Sequence, residues 1–446
     1  MEKRYGQLDM RGIERRERRV LSLTLDDVYV SLAVAVQPDR KQRRRRAPDA
    51  EAANEPRLLD MRELLGVSPR LVVIGGPGSG KTTYLQIIAA DLARALRTGD
   101  TATLSRHLGM GDALPLPVFV SLSEFNRYRM QFADSAEPRH GTLTDFISHA
   151  LIRQESAVDL PPDFFARLLT QGRACILLLD GLDEVADDRE RQLVRAAVQR
   201  LAANGGVGHM LVASRTRAYR EEAVLPEEFR VAEVQPMSSE QVNTLAARWC
   251  AAAYNAWEAD AETARLQQAI DDLERVRTAR GQDRLIDSPL LVTIVAIVHY
   301  NERRLPEQRA ELYEKCVEVL LTEKHHHESD ATFELADWGG SLAQKRSLLA
   351  DLAARMMSAG EAAGRSVDED QLRAWLRPRL VQQRGADQAD AELDTFVRAM
   401  RERGSLLDER DGIYQFIHLT FQEFLAAFYL AETVRDADRI VAFGGR

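Results

Sequence analysis

The chain has 446 residues, 45% of them apolar and 29% charged, which places it among globular proteins with room for about two to four domains. A formal charge of −9 excludes a surface built throughout to hold nucleic acid or an anionic membrane. Three scattered cysteines, Cys175, Cys250 and Cys316, form neither a disulfide framework nor a zinc knuckle; with no secretory leader and no apolar run long enough to span a bilayer, a cytoplasmic protein is expected.

Residues 1–19 are dense in charge and offer little core. Residues 20–25 alternate like a strand, and residues 26–36 continue with β-branched and aromatic side chains, which predicts a small structured lead-in. The basic run Asp39-Arg-Lys-Gln-Arg-Arg-Arg-Arg46, followed by Pro48 and Pro56, reads as an exposed linker that ends a lead-in over residues 1–56. A short helix over residues 61–65 then feeds the apolar strand Leu71-Val-Val-Ile74.

That strand runs into Gly75-Gly-Pro-Gly-Ser-Gly-Lys-Thr-Thr83, in which Gly75, Gly80, Lys81 and Thr82 fill the Walker A pattern. Gly75, Gly76, Gly78 and Gly80 let the backbone turn with its N–H groups facing phosphate oxygens, where side chains would block the approach. The following helix, from Lys81 to about Leu96, adds its positive N-terminal dipole. Lys81 brings a point charge to the β- and γ-phosphates, and the Thr82 hydroxyl is placed to ligate Mg²⁺. Gly75, Gly76, Pro77, Gly78, Ser79, Gly80, Lys81, Thr82 and Thr83 are therefore the nucleotide-binding candidates, with Lys81 also a catalytic one.

Residues 98–113 read as a loop, residues 116–122 as a core strand, and residues 143–151 and 164–170 as helices, an alternation that predicts a parallel sheet with helices on its faces. Arg173-Ala-Cys-Ile-Leu-Leu-Leu-Asp180 is an apolar run ending in a carboxylate, the form of a Walker B strand. Such a strand carries Asp180 to the carboxyl edge of the sheet, where it holds Mg²⁺ through the ion's water shell. Asp183 and Glu184 follow on the turn facing the γ-phosphate, and one of the two orients the attacking water or accepts its proton. A helix over residues 193–203 and a strand over residues 209–213 lead to Ser214-Arg215-Thr216. Arg215, at the end of a strand beside Walker B, is the candidate to sense the γ-phosphate. Residues 231–234 are expected to close the sheet, so residues 57–236 form the nucleotide-binding domain.

From Ser238 the pattern turns helical, with helices over residues 241–252, 261–276 and 290–300 in a domain spanning residues 237–335. His325-His-His327 lies on a charged stretch, and three adjacent imidazoles do not converge on one ion. Helices over residues 345–357, 369–382 and 391–403, a hairpin turning at Asp411-Gly412 and a terminal helix with Phe421, Phe424, Leu425, Phe428 and Tyr429 at helical spacing suggest a winged helix over residues 336–434. Residues 435–446 form a tail.

Five segments together resemble the NACHT module: Gly75-Gly-Pro-Gly-Ser-Gly-Lys-Thr-Thr83, Leu177-Leu-Leu-Asp-Gly-Leu-Asp-Glu-Val185, Ser214-Arg-Thr216, Leu305-Pro-Glu-Gln-Arg-Ala-Glu-Leu-Tyr313 and Phe416-Ile-His-Leu-Thr-Phe-Gln-Glu-Phe-Leu-Ala-Ala427. This module is the nucleotide-binding core of NOD-like receptors and of bacterial antiphage NACHT proteins, within the STAND class of P-loop NTPases. The likeness runs from about Met61 to Thr433, and the lead-in at residues 26–36 is also similar to the family's. It implies that Pro289 packs near the adenine and that His418 reaches the β-phosphate of ADP from the winged helix, latching a closed, inactive state. It further implies a slow regulatory ATPase that opens with ATP and assembles with copies of itself, between a trigger and an effector that the sequence does not name. Residues 1–56 are too short and charged for most effector folds, and no repeat array is read before Arg446. Two competing readings are a constantly cycling AAA+-like ATPase and a DNA-binding regulator using the winged helix with the Arg43–Arg46 arm; the net acidity counts against the second.

Overall fold

The computed structural model describes residues 23–38, 56–76, 78–99, 101, 114–132, 137, 140–154, 161, 164–170, 175–185, 188–203, 207–216, 219, 224–279, 284, 286–302, 306, 309–322, 341–359, 365–403, 406–410, 412–416 and 419–433. Pro77, the arginine run, the histidine run and His418 lie outside the described residues. The chain falls into two compact units, one built on Ser22–Thr263 with Ile286–Val292, the other on Ala264–Leu285 with Thr293–Arg446.

The first unit holds a seven-stranded sheet of β1 (Ala33–Val36), β2 (Arg57–Asp60), β3 (Arg70–Gly75), β4 (Leu116–Ser121), β5 (Cys175–Asp180), β6 (His209–Arg215) and β7 (Arg230–Val234), in the order β2-β1-β7-β3-β6-β5-β4. The five strands from β7 to β4 run parallel, as their uninterrupted apolar runs require: Leu71, Val72 and Val73 of β3 and Ile176, Leu177, Leu178 and Leu179 of β5 are all fully buried. Each such side chain contributes about 1.5–3 kcal/mol through burial. Helices Lys81–Thr98, Leu122–Gln131, Leu143–Gln154, Phe164–Thr170 and Asp188–Ala203 connect the strands.

Two expectations are corrected here. β7 does not close the sheet: β1 of the lead-in pairs antiparallel with β7, and β2, which follows the lead-in, pairs antiparallel with β1, so the sheet gains two strands beyond β7 and is mixed. Nor does the lead-in run extended from residue 25. Leu25–Val28 is a single helical turn, because Thr24 and Asp27 cap it reciprocally: the Asp27 N–H donates to Thr24 Oγ1 at 3.3 Å and the Thr24 N–H to Asp27 Oδ2 at 2.9 Å. Arg94 of the P-loop helix then ties this turn down, reaching Asp26 at 2.6 Å and the buried Asp91 at 3.4 Å.

After the sheet the elements are helical: Ser239–Ala253, Ala256–Ala279, Pro289–Glu302 and Arg309–Thr322. Ser238 caps the first of these, its Oγ accepting from the Gln241 N–H while the Gln241 amide oxygen accepts from the Ser238 N–H. The C-terminal elements form the winged helix: helices Leu342–Ser358, Glu369–Arg384 and Ala386–Arg403, a small antiparallel sheet, and helix Leu419–Thr433. The expected hairpin, β9 (Leu407–Arg410) with β10 (Ile413–Phe416), gains a third strand, β8 (Ser366–Asp368), in the order β8-β10-β9. In the last helix Phe421 and Leu425 are buried as core, while Phe424, Phe428 and Tyr429 are half-buried: Phe421 meets Tyr313 edge-on at 6.2 Å between ring centroids, and Arg346 lies 4.4 Å over the Phe428 ring.

Candidate functional site

Parallel pairing brings the carboxyl ends of β3, β6, β5 and β4 to one edge, with Gly75 opposite Arg215 and Ser121 opposite Asp180. The loop after β3 is compact because its glycines permit it. Gly78 and Gly80 have φ of 67° and 82°, in the left-handed region. A Cβ on Gly75 would lie 2.7 Å from Ser79 Oγ and 3.1 Å from Val234 Cβ, so a side chain there would force the turn apart. Next to Gly80, Leu32 of the lead-in and Pro289 form a wall, their nearest carbons 3.4 and 3.5 Å from where a Cβ would stand. The Leu290 N–H donates to the Gly78 carbonyl at 3.3 Å, fixing Pro289 against the loop.

Lys81 opens the helix and turns back into the loop, its Nζ donating to the carbonyls of Gly75 at 3.0 Å and Gly76 at 2.8 Å and to Ser79 Oγ at 3.2 Å. Burial pushes its ammonium down to about 8; Asp183 opposes that fall, Arg215 adds to it, and Asp180 and Glu184 help to keep the charge. Thr82 Oγ1 donates to Asp180 Oδ1 at 3.2 Å. A hydroxyl and a carboxylate side by side at the mouth of a glycine cradle are hard oxygen donors of the kind Mg²⁺ takes, so the residues present fit the ion. Thr83 is half-buried in the first turn of the same helix.

The acids after Asp180 diverge. Asp183 is buried and paired with Arg215, whose Nε lies 2.9 Å from Oδ2 and whose N–H donates to Oδ1 at 3.1 Å. Glu184 is exposed, and its Oε2 accepts from Ser123 Oγ at 3.4 Å. The structure thus assembles Gly75, Gly76, Gly78, Ser79, Gly80, Lys81, Thr82, Asp180, Asp183, Arg215 and Pro289 at one edge, with Glu184 beside them and turned toward β4. Sequence reasoning missed Leu32, Ser121 and Ser123. The run Ser121-Leu-Ser-Glu124 carries a helix-start signal, and Ser121 does cap its helix, but its place opposite Asp180 follows from strand register alone.

Among the described residues, no group of three or more His, Cys, Asp or Glu side chains is arranged to hold a metal, and no helix is long and apolar enough to cross a membrane.

The NACHT domain family matches residues 70–253, and the winged helix-turn-helix domain C-terminal to NACHT matches residues 309–430. No curated protein matches. Among solved structures the chain is similar, at 14% identity, to Cdc6p from Pyrobaculum aerophilum (82% of this chain, 88% of that one, TM-score 0.28). It is likewise similar, at 14% identity, to the Aeropyrum pernix ORC1 protein in complex with DNA (82% and 88%, TM-score 0.31). A third likeness, also at 14% identity, is to domain III of the Thermotoga maritima replication initiation protein DnaA (52% and 85%, TM-score 0.26). TM-scores this low carry no argument about function. With a NACHT domain over its P-loop sheet and the matching winged helix over its C-terminal elements, the chain belongs to the NACHT-module P-loop NTPases.

Proposed function

We propose that this edge makes the protein an adenine-nucleotide switch: ADP latches a closed, inactive chain, and ATP permits opening and self-association, with slow hydrolysis resetting it. The setting, bacterial antiphage defence, rests on the resemblance of the motifs. The observation that carries the reading is the Asp183–Arg215 pair, 2.9 Å apart beside Lys81. Arg215 has two anionic partners to choose between, the Asp183 carboxylate and the γ-phosphate of ATP, and ADP offers only the first. A ligand moves a conformational equilibrium by the difference in its affinity for the two states, and this choice supplies one.

In this reading Lys81 exchanges the Gly75 and Gly76 carbonyls for phosphate oxygens, and the loop N–H groups complete the cradle. Thr82 and Asp180 hold Mg²⁺, which when bound neutralises charge on the phosphates. Asp183 or Glu184 takes the proton of the attacking water. The DNA-binding alternative is disfavoured by the winged helix itself: Arg373 and Arg377 are committed to Asp394 and Asp390 of the neighbouring helix, at 2.7 Å each, so this face presents paired charge.

The test is the affinity of Arg215→Ala for ATP and for ADP, measured by calorimetry with a non-hydrolysed ATP analogue. Loss of a charge-assisted contact to the γ-phosphate weakens ATP by about tenfold or more while ADP binding holds. An equal loss for both nucleotides contradicts the switch role of Arg215.

A further inference from the structure

The carboxyl end of β3, where the strand becomes the phosphate loop, is crossed on one face of the sheet by a side-chain bond. Thr216, directly after β6, donates from Oγ1 to Glu233 Oε1 of β7 at 3.2 Å. β3 lies between those two strands, with Ile74 paired to Ser214 on one side and to Glu233 on the other. Successive residues of a strand face opposite ways, so Glu233 shares a face with Ile74 and Ser214, while Arg215, opposite Gly75, turns to the other. On that second face a Cβ added to Gly75 would meet Ser79 and Val234. The bond therefore straps β6 to β7 on the face away from Arg215 and Ser79.

Arg215 stands at the strand end that this strap holds. Its N–H is kept by Asp183 Oδ1, and its carbonyl accepts from the N–H of the buried Tyr219 at 3.0 Å. The Tyr219 hydroxyl in turn accepts from the Leu225 N–H at 3.0 Å. Thr216 is pinned to β3 by a long backbone bond, its N–H lying 3.4 Å from the Gly75 carbonyl, which also accepts from Lys81 Nζ at 3.0 Å. A bond to a carboxylate is about twice as strong as one between neutral groups, so the Glu233 strap does more than that backbone bond to place Thr216. β7 is a firm anchor for it, because Glu233 pairs with Ile74 on one side and with Ala35 of β1 on the other. We infer that Glu233 is a positioning residue for ATP recognition: through Thr216 it fixes the strand end from which Arg215 reaches the γ-phosphate, and so sets the preference for ATP over ADP. The inference rests on the switch reading of Arg215 above. ADP, with no γ-phosphate, makes no use of that placement.

The experiment measures, by calorimetry on the full chain, the affinity for a non-hydrolysed ATP analogue and for ADP in Glu233→Ala, Thr216→Val, Glu233→Gln, Thr216→Ser and Arg215→Ala. Loss of the strap in E233A or T216V weakens the ATP analogue by about three- to tenfold, the scale of one half-exposed hydrogen bond, and leaves ADP within about twofold. Retained ADP binding also shows that the site is still folded. The double variant E233A/T216V is no worse than either single change, because both remove the same bond. E233Q keeps an acceptor and T216S a hydroxyl, and both bind as the wild type does. If R215A is selective against the ATP analogue while E233A and T216V are not, or if E233Q loses as much as E233A, the strap is overturned and the switch reading stands. If R215A weakens both nucleotides equally, the reading of Arg215 falls and the positioning role of Glu233 with it.

Discussion

Asp183→Ala removes the anion at the centre of the site, and the structure sets how much that costs relative to its partner. The Asp183 side chain is 6% exposed and accepts two bonds from Arg215, through Nε at 2.9 Å and the backbone N–H at 3.1 Å. Without it, the Arg215 guanidinium, 21% exposed, loses its paired carboxylate, and the half-buried Lys81 ammonium loses the acid that does most to hold its charge. Removing one member of a buried pair costs about 3–5 kcal/mol, and the partial exposure of Arg215 puts this case near about 3 kcal/mol. Arg215→Ala is milder. Asp183 keeps Lys81 as a counter-charge and retains the residue-215 N–H, which the alanine still supplies, so about 1–2 kcal/mol is lost. The double variant recovers part of the sum, because the second change removes the charge that the first left unpaired. Urea unfolding of the nucleotide-binding unit at neutral pH reads all three. If Arg215→Ala is as damaging as Asp183→Ala, or if the two add fully, the pair is not the buried, coupled element described.

Nucleotide affinity should fall as pH rises above about 8, because burial lets Lys81 lose its proton there and a bound phosphate restores it. The sign follows from the complex holding more protons than the free protein, so calorimetry at alkaline pH in buffers of different ionisation enthalpy should show proton uptake. Gly181→Ala should lose about 1–2 kcal/mol from its left-handed backbone alone, with a further loss from the displaced Glu184 carboxylate, read as a lowered urea midpoint. Arg94→Ala should loosen the lead-in, since Asp26 and the buried Asp91 both pair with it; faster amide exchange over residues 25–36 is the expected result, and unchanged exchange would show that the arginine does not hold the segment. His418→Ala should promote self-association without a trigger, and a variant that stays monomeric removes the latch role implied by the family likeness.

How far the sequence spoke depends on where each element draws its stability. β3, β5 and β6 are buried on both faces, so their composition alone marked them, as the glycines marked the phosphate loop. β2 is four residues long, with Arg57 and Leu58 exposed, and exists because β1 pairs with it; no periodicity can show that. The turn at Leu25–Val28 looked extended from its β-branched and aromatic neighbours, and a local capping box overrode that preference. β8 has three residues and is held by β10. At the site, Asp180, Asp183, Glu184 and Arg215 were legible as acids and a base at strand ends. That Arg215 closes on Asp183, and that Ser123 reaches Glu184, depends on which strands are neighbours.

The measurement that bears most directly on the switch is the nucleotide the protein carries when purified without any added. Denaturing the chain and identifying what it releases by chromatography, with Lys81→Ala as control, decides between a latched switch and a cycling enzyme. The account predicts ADP in stoichiometric amount from the wild type and none from the variant. An empty wild type that turns over added ATP rapidly would contradict it.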